Sequence, residues 1–323
     1  MAAALFSVFL VAGCGSGGPG EPAWTDTEVT FDSDGLTVHG TYRHQDSTGP
    51  AALLISESGP TDRNGDNQVV GPVGNMRQIA ELLSDKGIAS LRYDKVGTGA
   101  TGLGPYRDKP TEVVSGVYTD GAAAALRFLA DQPDTDEAAL SIYAVGEGAI
   151  HAMTLAGAGD PKVGALALFQ PLAGRYLDII TDRVRAGATP EVLTAWLGAV
   201  EEIRTDGTLP AGLPEGLGAI VNQGNLGAIV AADKIDPLQL AAALPDGLPV
   251  LLTCSDADAQ ATCDAERPLI QALGHTALTV VELDGVNHVL RDDPTDSIAN
   301  YGQPGDLSPQ VVEAVSTFVG ADT

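Results

Sequence analysis

The stretch that most constrains this chain is Ser141–Ala152, Ser-Ile-Tyr-Ala-Val-Gly-Glu-Gly-Ala-Ile-His-Ala. A short β-branched and apolar run breaks into a tight turn of small residues, and a helix-like run follows at once. A strand that turns this sharply into a helix lifts one residue above the edge of a sheet, and the pattern G-x-S-x-G commonly fills the turn. Here the five slots read Ala144-Val145-Gly146-Glu147-Gly148, so the raised slot holds Gly146, which has no side chain. Glycine suits it, because a strained turn residue with unusual φ/ψ costs glycine little. No G-x-S-x-G occurs elsewhere in the chain; Ser141 begins the strand, and Ser58 belongs to a different loop.

Around this turn the sequence alternates strands and helices. Thr27–Phe31 and Leu36–Tyr42 alternate in polarity across Asp32-Ser33-Asp34-Gly35, a hairpin turn. Ala51–Ser56, Ile88–Tyr93, Ile142–Val145 and Val163–Phe169 are continuous apolar runs of the kind buried on both faces. Helical periodicity covers Asn75–Lys86, Val113–Asp131 and Gly148–Ala156. Such alternation predicts an α/β protein with a mostly parallel central sheet flanked by helices. From Arg175 to about Leu244 the strands stop and helical stretches continue, which predicts a helical insertion. Strands resume at Leu248–Cys254 and Ala277–Leu283, with helices at Pro268–Leu273 and Val311–Val319.

The formal charge of -26 on 323 residues argues against nucleic acid and anionic lipid surfaces as partners. Ala2–Gly13 is apolar but too short to span a bilayer, and it ends in Val11-Ala12-Gly13-Cys14. That ending resembles a bacterial lipobox. It implies cleavage before Cys14, lipidation of Cys14 and a protein lipid-anchored to the outer face of the cytoplasmic membrane. The positive residues usual before such a segment are missing from Met1–Leu10. The expected division is a signal peptide at 1–13, a flexible tether at 14–26, core at 27–174, helical cap at 175–246 and core again at 247–323. The remaining Cys254 and Cys263 suggest a disulfide in an exported chain; the alternative is two buried free thiols.

Four further segments, taken with the turn, resemble the α/β-hydrolase family in its bacterial serine-esterase branch, over nearly the whole mature chain. Ser56-Glu57-Ser58-Gly59-Pro60-Thr61-Asp62-Arg63-Asn64-Gly65 is similar to the family's H-G-S-G-P-x-D-R-x-G loop, with Glu57 where the family has glycine. The resemblance implies an oxyanion hole formed by the backbone N–H groups of Ser58 and Glu147. Asp62–Asn67 read alone is an Asx-rich turn; as a calcium loop it fails, because Val73 sits where the twelfth-position Glu belongs. Leu91-Arg92-Tyr93-Asp94-Lys95-Val96-Gly97-Thr98-Gly99 matches a family loop whose role is mostly structural, and Asp94 and Lys95 receive no chemistry. Thr253-Cys254-Ser255-Asp256-Ala257-Asp258 implies a triad acid at Asp258, with Asp256 as runner-up. Gly285-Val286-Asn287-His288 implies a catalytic base at His288. The order Gly146, Asp258, His288 follows the family order of nucleophile, acid, base.

A serine hydrolase without its Oγ cannot form an acyl-enzyme. Three functions therefore stand open. The first is an impaired or inactive esterase, a pseudoenzyme that binds a small ester or acyl-type ligand. The second is an active ester hydrolase in which His288 and Asp258 activate a water in the vacated space. The third is a non-catalytic ligand- or protein-binding lipoprotein. No cofactor and no metal is expected.

Overall fold

The computed structural model describes residues 24–214 and 216–321. Cys14 and the expected signal peptide lie outside the described residues. Strands β1 (Thr25–Ser33) and β2 (Leu36–His44) form the hairpin predicted from Asp32–Gly35, and β1 begins at Thr25, inside the stretch expected as tether. Gly35 adopts φ 83° in that turn, a value glycine reaches without strain. β3 (Gly49–Ile55) is followed by a loop and by α1 (Asn75–Ser84), then β4 (Ala89–Tyr93). α2 (Ser115–Ala130), β5 (Thr135–Val145), α3 (Gly148–Ala158) and β6 (Ala165–Phe169) continue the alternation.

Among the described residues, five helices then intervene: α4 (Tyr176–Gly187), α5 (Pro190–Asp206), α6 (Leu217–Ile220), α7 (Leu226–Asp233) and α8 (Pro237–Ala242). The chain returns to the sheet with β7 (Pro249–Ser255), α9 (Cys263–Ala272) and β8 (Ala277–Leu283), and closes with α10 (Ile298–Tyr301) and α11 (Pro309–Ala321). α9 starts five residues before the predicted Pro268. Thr262 caps it by accepting from the Ala265 N–H at 3.2 Å, so Pro268 lies inside the helix rather than at its start.

The eight strands form one sheet in the order β1-β2-β4-β3-β5-β6-β7-β8. The β1–β2 and β2–β4 pairings are antiparallel, and every pairing from β4 onward is parallel. The buried runs explain the central position of β3, β5 and β6: Leu53, Leu54, Ile142, Ala144, Leu166 and Phe169 are all essentially sealed from solvent. Side chains alternate across a sheet, so the core splits into two layers. Leu53, Ile55 and Ile142 pack against α2 and α3, while Leu54, Tyr143 and Phe169 pack toward α1 and α11. Each such Leu or Ile contributes roughly 1.5–3 kcal/mol relative to exposure.

The inserted helices have their own small core around Trp196, Leu177, Val200 and Ile203. The Trp196 indole donates to Thr181 Oγ1 at 2.8 Å, which satisfies the one polar atom of a fully buried ring. Asp233 ties the insertion together, accepting from Arg175, from Arg204 and from the Leu177 N–H.

The order reverses between β3 and β5: β4 lies on one side of β3 and β5 on the other. Ligands of open parallel sheets bind beyond the carboxyl ends of the strands at such a reversal. Because Ile55 pairs with Ala144, residues two further along each strand, Glu57 and Gly146, emerge at the same level above the sheet.

Candidate active site

The turn after β5 has the sharp geometry that its sequence predicts. Gly146 has φ +53° and leads straight into α3, and its N–H donates to the Phe169 carbonyl at 3.0 Å. Gly148 is required by close approach, since a Cβ there would lie 2.7 Å from the Ile55 carbonyl oxygen. The space above Gly146 is occupied. A Cβ built on Gly146 would overlap Oε2 of Glu57, with Cδ and Oε1 of the same carboxyl group next in reach.

Glu57 follows β3 by two residues, and its carboxylate reaches across to the turn. Oε1 accepts from the Ser58 N–H at 2.5 Å and from the Glu147 N–H at 3.3 Å. Those are the two backbone donors that the sequence resemblance assigns to an oxyanion hole. Oε2 is 3.0 Å from Nε2 of His288. The opposite ring nitrogen, Nδ1, is 2.7 Å from Oδ2 of Asp258. Asp258 is fully buried, His288 is 5% exposed, and Asp258 Oδ1 is held by the Gln260 N–H at 2.7 Å. The structure thus joins Glu57, His288 and Asp258 in a line that starts where a serine hydroxyl would stand.

The electrostatics follow from this line. Burial works against charge on Glu57, but the hydrogen bond and charge of His288 and the Ser58 N–H outweigh it and hold the carboxyl at about 2. Burial likewise disfavours the charged imidazole, yet the bonds to Asp258 and Glu57 dominate and push His288 up to about 10. At neutral pH Glu57 is therefore a carboxylate and His288 an imidazolium. Nε2 of His288 donates to Glu57 and is not free to accept a proton.

Asp256, the alternative acid, accepts from the Gly285 N–H at 2.8 Å and braces the loop that carries His288. Ser255 Oγ donates to the Val286 carbonyl at 2.5 Å and links the same two loops. Cys254 and Cys263 are disulfide-bonded across the loop that bears Asp258, which excludes the free-thiol reading. Behind Asp258, Glu266 on α9 is fully buried, and neither of its carboxyl oxygens has a hydrogen-bond partner. Burial, with the Asp258 charge added, pushes Glu266 up to about 9.

Lys95, assigned no chemistry from its sequence context, holds the Glu57 main chain: Nζ donates to the Glu57 carbonyl oxygen. Burial brings this ammonium down to about 8, against the opposing pull of Glu57 and Glu147. Asp94 is structural. It accepts from the Arg63 backbone and guanidinium and from the Ala100 N–H, at 2.8–3.0 Å. Asp62 closes its own turn through the Asn64 and Asp66 N–H groups, as an Asx turn does. No group of three or more His, Cys, Asp or Glu side chains among the described residues could hold a metal ion.

A cavity of about 350 Å³ opens above the Glu57 carboxylate. Its floor is Glu57, Ser58 and Glu147, and its roof comes from the insertion, with Tyr176, Ile179 and Ile180 on α4 and Ile235 in the connection between α7 and α8. The size and the apolar wall with a few polar groups suit a small organic molecule. Glu57 is the candidate site side chain that sequence reasoning missed. Its signal was present as two separate departures from the pattern the sequence resembles, glutamate at 57 where that pattern has glycine and glycine at 146 where it has serine.

No protein-family model matches the chain, and no curated protein sequence matches it. Solved structures do. An α/β hydrolase, GrgF, from Penicillium sp. sh18 superposes with TM-score 0.59 over 93% of this chain and 98% of its own, at 16% identity. Est1E from Butyrivibrio proteoclasticus gives 0.57 over 91% and 98%, at 14% identity. A dienelactone hydrolase from Anabaena variabilis gives 0.54 over 92% and 98%, at 15% identity. The strand order, the site at the carboxyl ends of β3, β5, β7 and β8, and these likenesses together give the chain the α/β-hydrolase fold.

Proposed function

We propose that the protein is a hydrolase of small ester-type ligands that works through a carboxylate-centred triad, Glu57–His288–Asp258, in place of a serine triad. One observation carries this reading: the Glu57 carboxylate fills the position of the missing hydroxyl and makes that hydroxyl's contact with the base. Carboxylates serve as covalent nucleophiles in other hydrolytic chemistry. A buried, ionised and oriented carboxylate at the floor of a ligand-sized cavity meets the same requirement of position. Water held in a vacated serine pocket, the second of the functions left open by the sequence, is disfavoured because Glu57 takes up that space.

The test is turnover of a panel of activated acyl and alkyl esters by the wild type, Glu57→Gln and His288→Ala. The expected result is activity that falls by orders of magnitude in both variants. Activity unchanged in Glu57→Gln would sink the proposal.

A second reading has its own observation. The Glu57 carboxylate sits on both expected oxyanion donors, as a bound carboxylate product would, so a silent site that only binds ligand is consistent with it. Ligand binding to the cavity with no turnover of any panel member is its signature.

We also propose that the protein is exported and lipid-anchored through Cys14. Support comes from Val11-Ala12-Gly13-Cys14 and from the Cys254–Cys263 disulfide, a bond that persists in oxidising compartments. Cys14→Ala should move the protein out of the membrane fraction; unchanged fractionation would refute the anchor.

A further inference from the structure

We propose that the ligand carries a neutral hydroxylated arm beside its ester group, and that a second, polar chamber between Lys95 and His151 receives it. The proposal rests on the reading of the larger cavity as a site for small ester-type ligands and names which of them it takes.

The chamber has a volume of about 60 Å³ and borders the floor of the larger cavity; Ser58, Gly59 and Glu147 line both. Its other walls include Lys95 after β4, Tyr118 on α2 and His151 on α3. A water needs about 10–15 Å³ of such space, so the chamber has room for roughly four waters, or for a hydroxylated arm of one or two carbons. Lys95 is 6% exposed and His151 4% exposed, so their free polar atoms find partners in the chamber rather than in bulk solvent.

Neighbouring groups fix who donates and who accepts. Thr119 Oγ1 has one hydrogen and donates it to the Ser115 carbonyl, one helical turn back, at 3.2 Å. Toward Nδ1 of His151, 2.9 Å away, it can then only accept. Nδ1 therefore carries the ring proton, and Nε2 offers a lone pair that no described residue takes up. Burial, and then the Lys95 charge, push His151 down to about 4, so the ring stays neutral. The Lys95 ammonium has three hydrogens and gives one to the Glu57 carbonyl oxygen, which leaves two.

A donor and an acceptor thus face one small space. An anionic arm would set its charge against the Glu147 carboxyl and the Nε2 lone pair, and a cationic arm against the Lys95 ammonium. An alkyl arm would leave both polar groups buried and unpaired. A hydroxyl satisfies both at once: its oxygen accepts from Lys95, and its hydrogen goes to Nε2 of His151.

The test uses ketones, which present the carbonyl of an ester and cannot be hydrolysed. Binding of 2-octanone and of its α- and β-hydroxy derivatives to the full chain is measured by calorimetry, while NMR follows the ¹⁵N shifts of the His151 ring. At least one hydroxyketone should bind about tenfold more tightly than 2-octanone. The Nε2 signal should move with that hydroxyketone and not with 2-octanone, and the affinity ratio should fall to about one in His151→Leu. Equal binding of all the ketones by the wild type, or a preference with Nε2 unmoved, would overturn the chamber and leave the larger cavity as the ligand site. Binding of none of them would remove the ligand reading of both spaces. The turnover panel with Glu57→Gln is read separately, so the triad and the chamber can fail independently.

Discussion

The Glu57 carboxylate lies against the bare Cα of Gly146 and excludes any side chain at position 146. Serine placed at 146 alone therefore has no room. Gly146→Ser places a Cβ inside Oε2 of Glu57 at a backbone φ of +53°, which L side chains rarely adopt. The expected outcome is a protein destabilised by about 2–4 kcal/mol, from strain and from a displaced buried carboxylate. It should not be labelled by a fluorophosphonate. The double variant that combines Glu57→Gly with Gly146→Ser frees both the space and the Ser58 and Glu147 donors, and should become labelled at position 146. Thermal unfolding and labelling of the two variants side by side check this; labelling of the single variant would contradict the geometry.

Removing the charge at 57 should be visible at the imidazole it contacts. In Glu57→Gln the ring keeps Asp258 but loses its second anion, so its raised value should fall back toward the ordinary 6.5. NMR titration of the His288 ring measures it directly. Stability should respond with a definite sign. His288 is raised from its ordinary 6.5 to about 10, so its contribution is full below 6.5 and is lost as pH rises through 10. Glu57 is lowered from 4.5 to about 2, so its contribution is full above 4.5 and is lost as pH falls through 2. The pair therefore stabilises the wild type most between pH 4.5 and 6.5. Wild type minus Glu57→Gln stability should peak in that window, and a difference that is flat with pH would contradict the ion pair.

Glu266 has the opposite sign. Its carboxyl is raised from 4.5 to about 9, so the folded state holds a proton that the unfolded chain has released, and stability falls as pH rises between those values. Glu266→Gln keeps the shape without the ionisation. It should gain about 2–3 kcal/mol at about pH 7 relative to the wild type and nothing at about pH 4. Chemical denaturation at the two pH values decides it.

The disulfide closes a short loop, and the loop-entropy account assigns about 2–3 kcal/mol to it. Replacing both Cys254 and Cys263 by alanine should lose that much stability. Because Asp258 lies inside the closed loop, the variant should also weaken the Asp258–His288 bond and lower the His288 titration point. Unchanged titration with lowered stability would assign the bridge to the fold alone.

Much of this was legible in the sequence because local chemistry and chain order agreed. Asp32–Gly35 specified its turn, the apolar runs specified buried strands, and Asp258 and His288 stood on loops after the last two strands. Other features were out of reach for physical reasons. β5 extends back to Thr135 through Asp136 and Glu137, which project into solvent and carry no apolar signal. Glu266 reads as an ordinary helix carboxylate until α9 is docked against the Asp258 loop. Glu57 and Gly146 each read as a local departure. That they meet depends on β3 lying beside β5 with Ile55 opposite Ala144, and no local pattern encodes that register.

The close approach of Glu57 to the turn also couples two distant positions in any redesign of the site. A chain with serine at 146 cannot seat glutamate at 57 in this position, because both claim one volume. Glutamate at 57 needs glycine at 146, and a side chain at 146 needs position 57 vacated. The two positions act as a lock that admits one pairing at a time, so neither can be exchanged without the other.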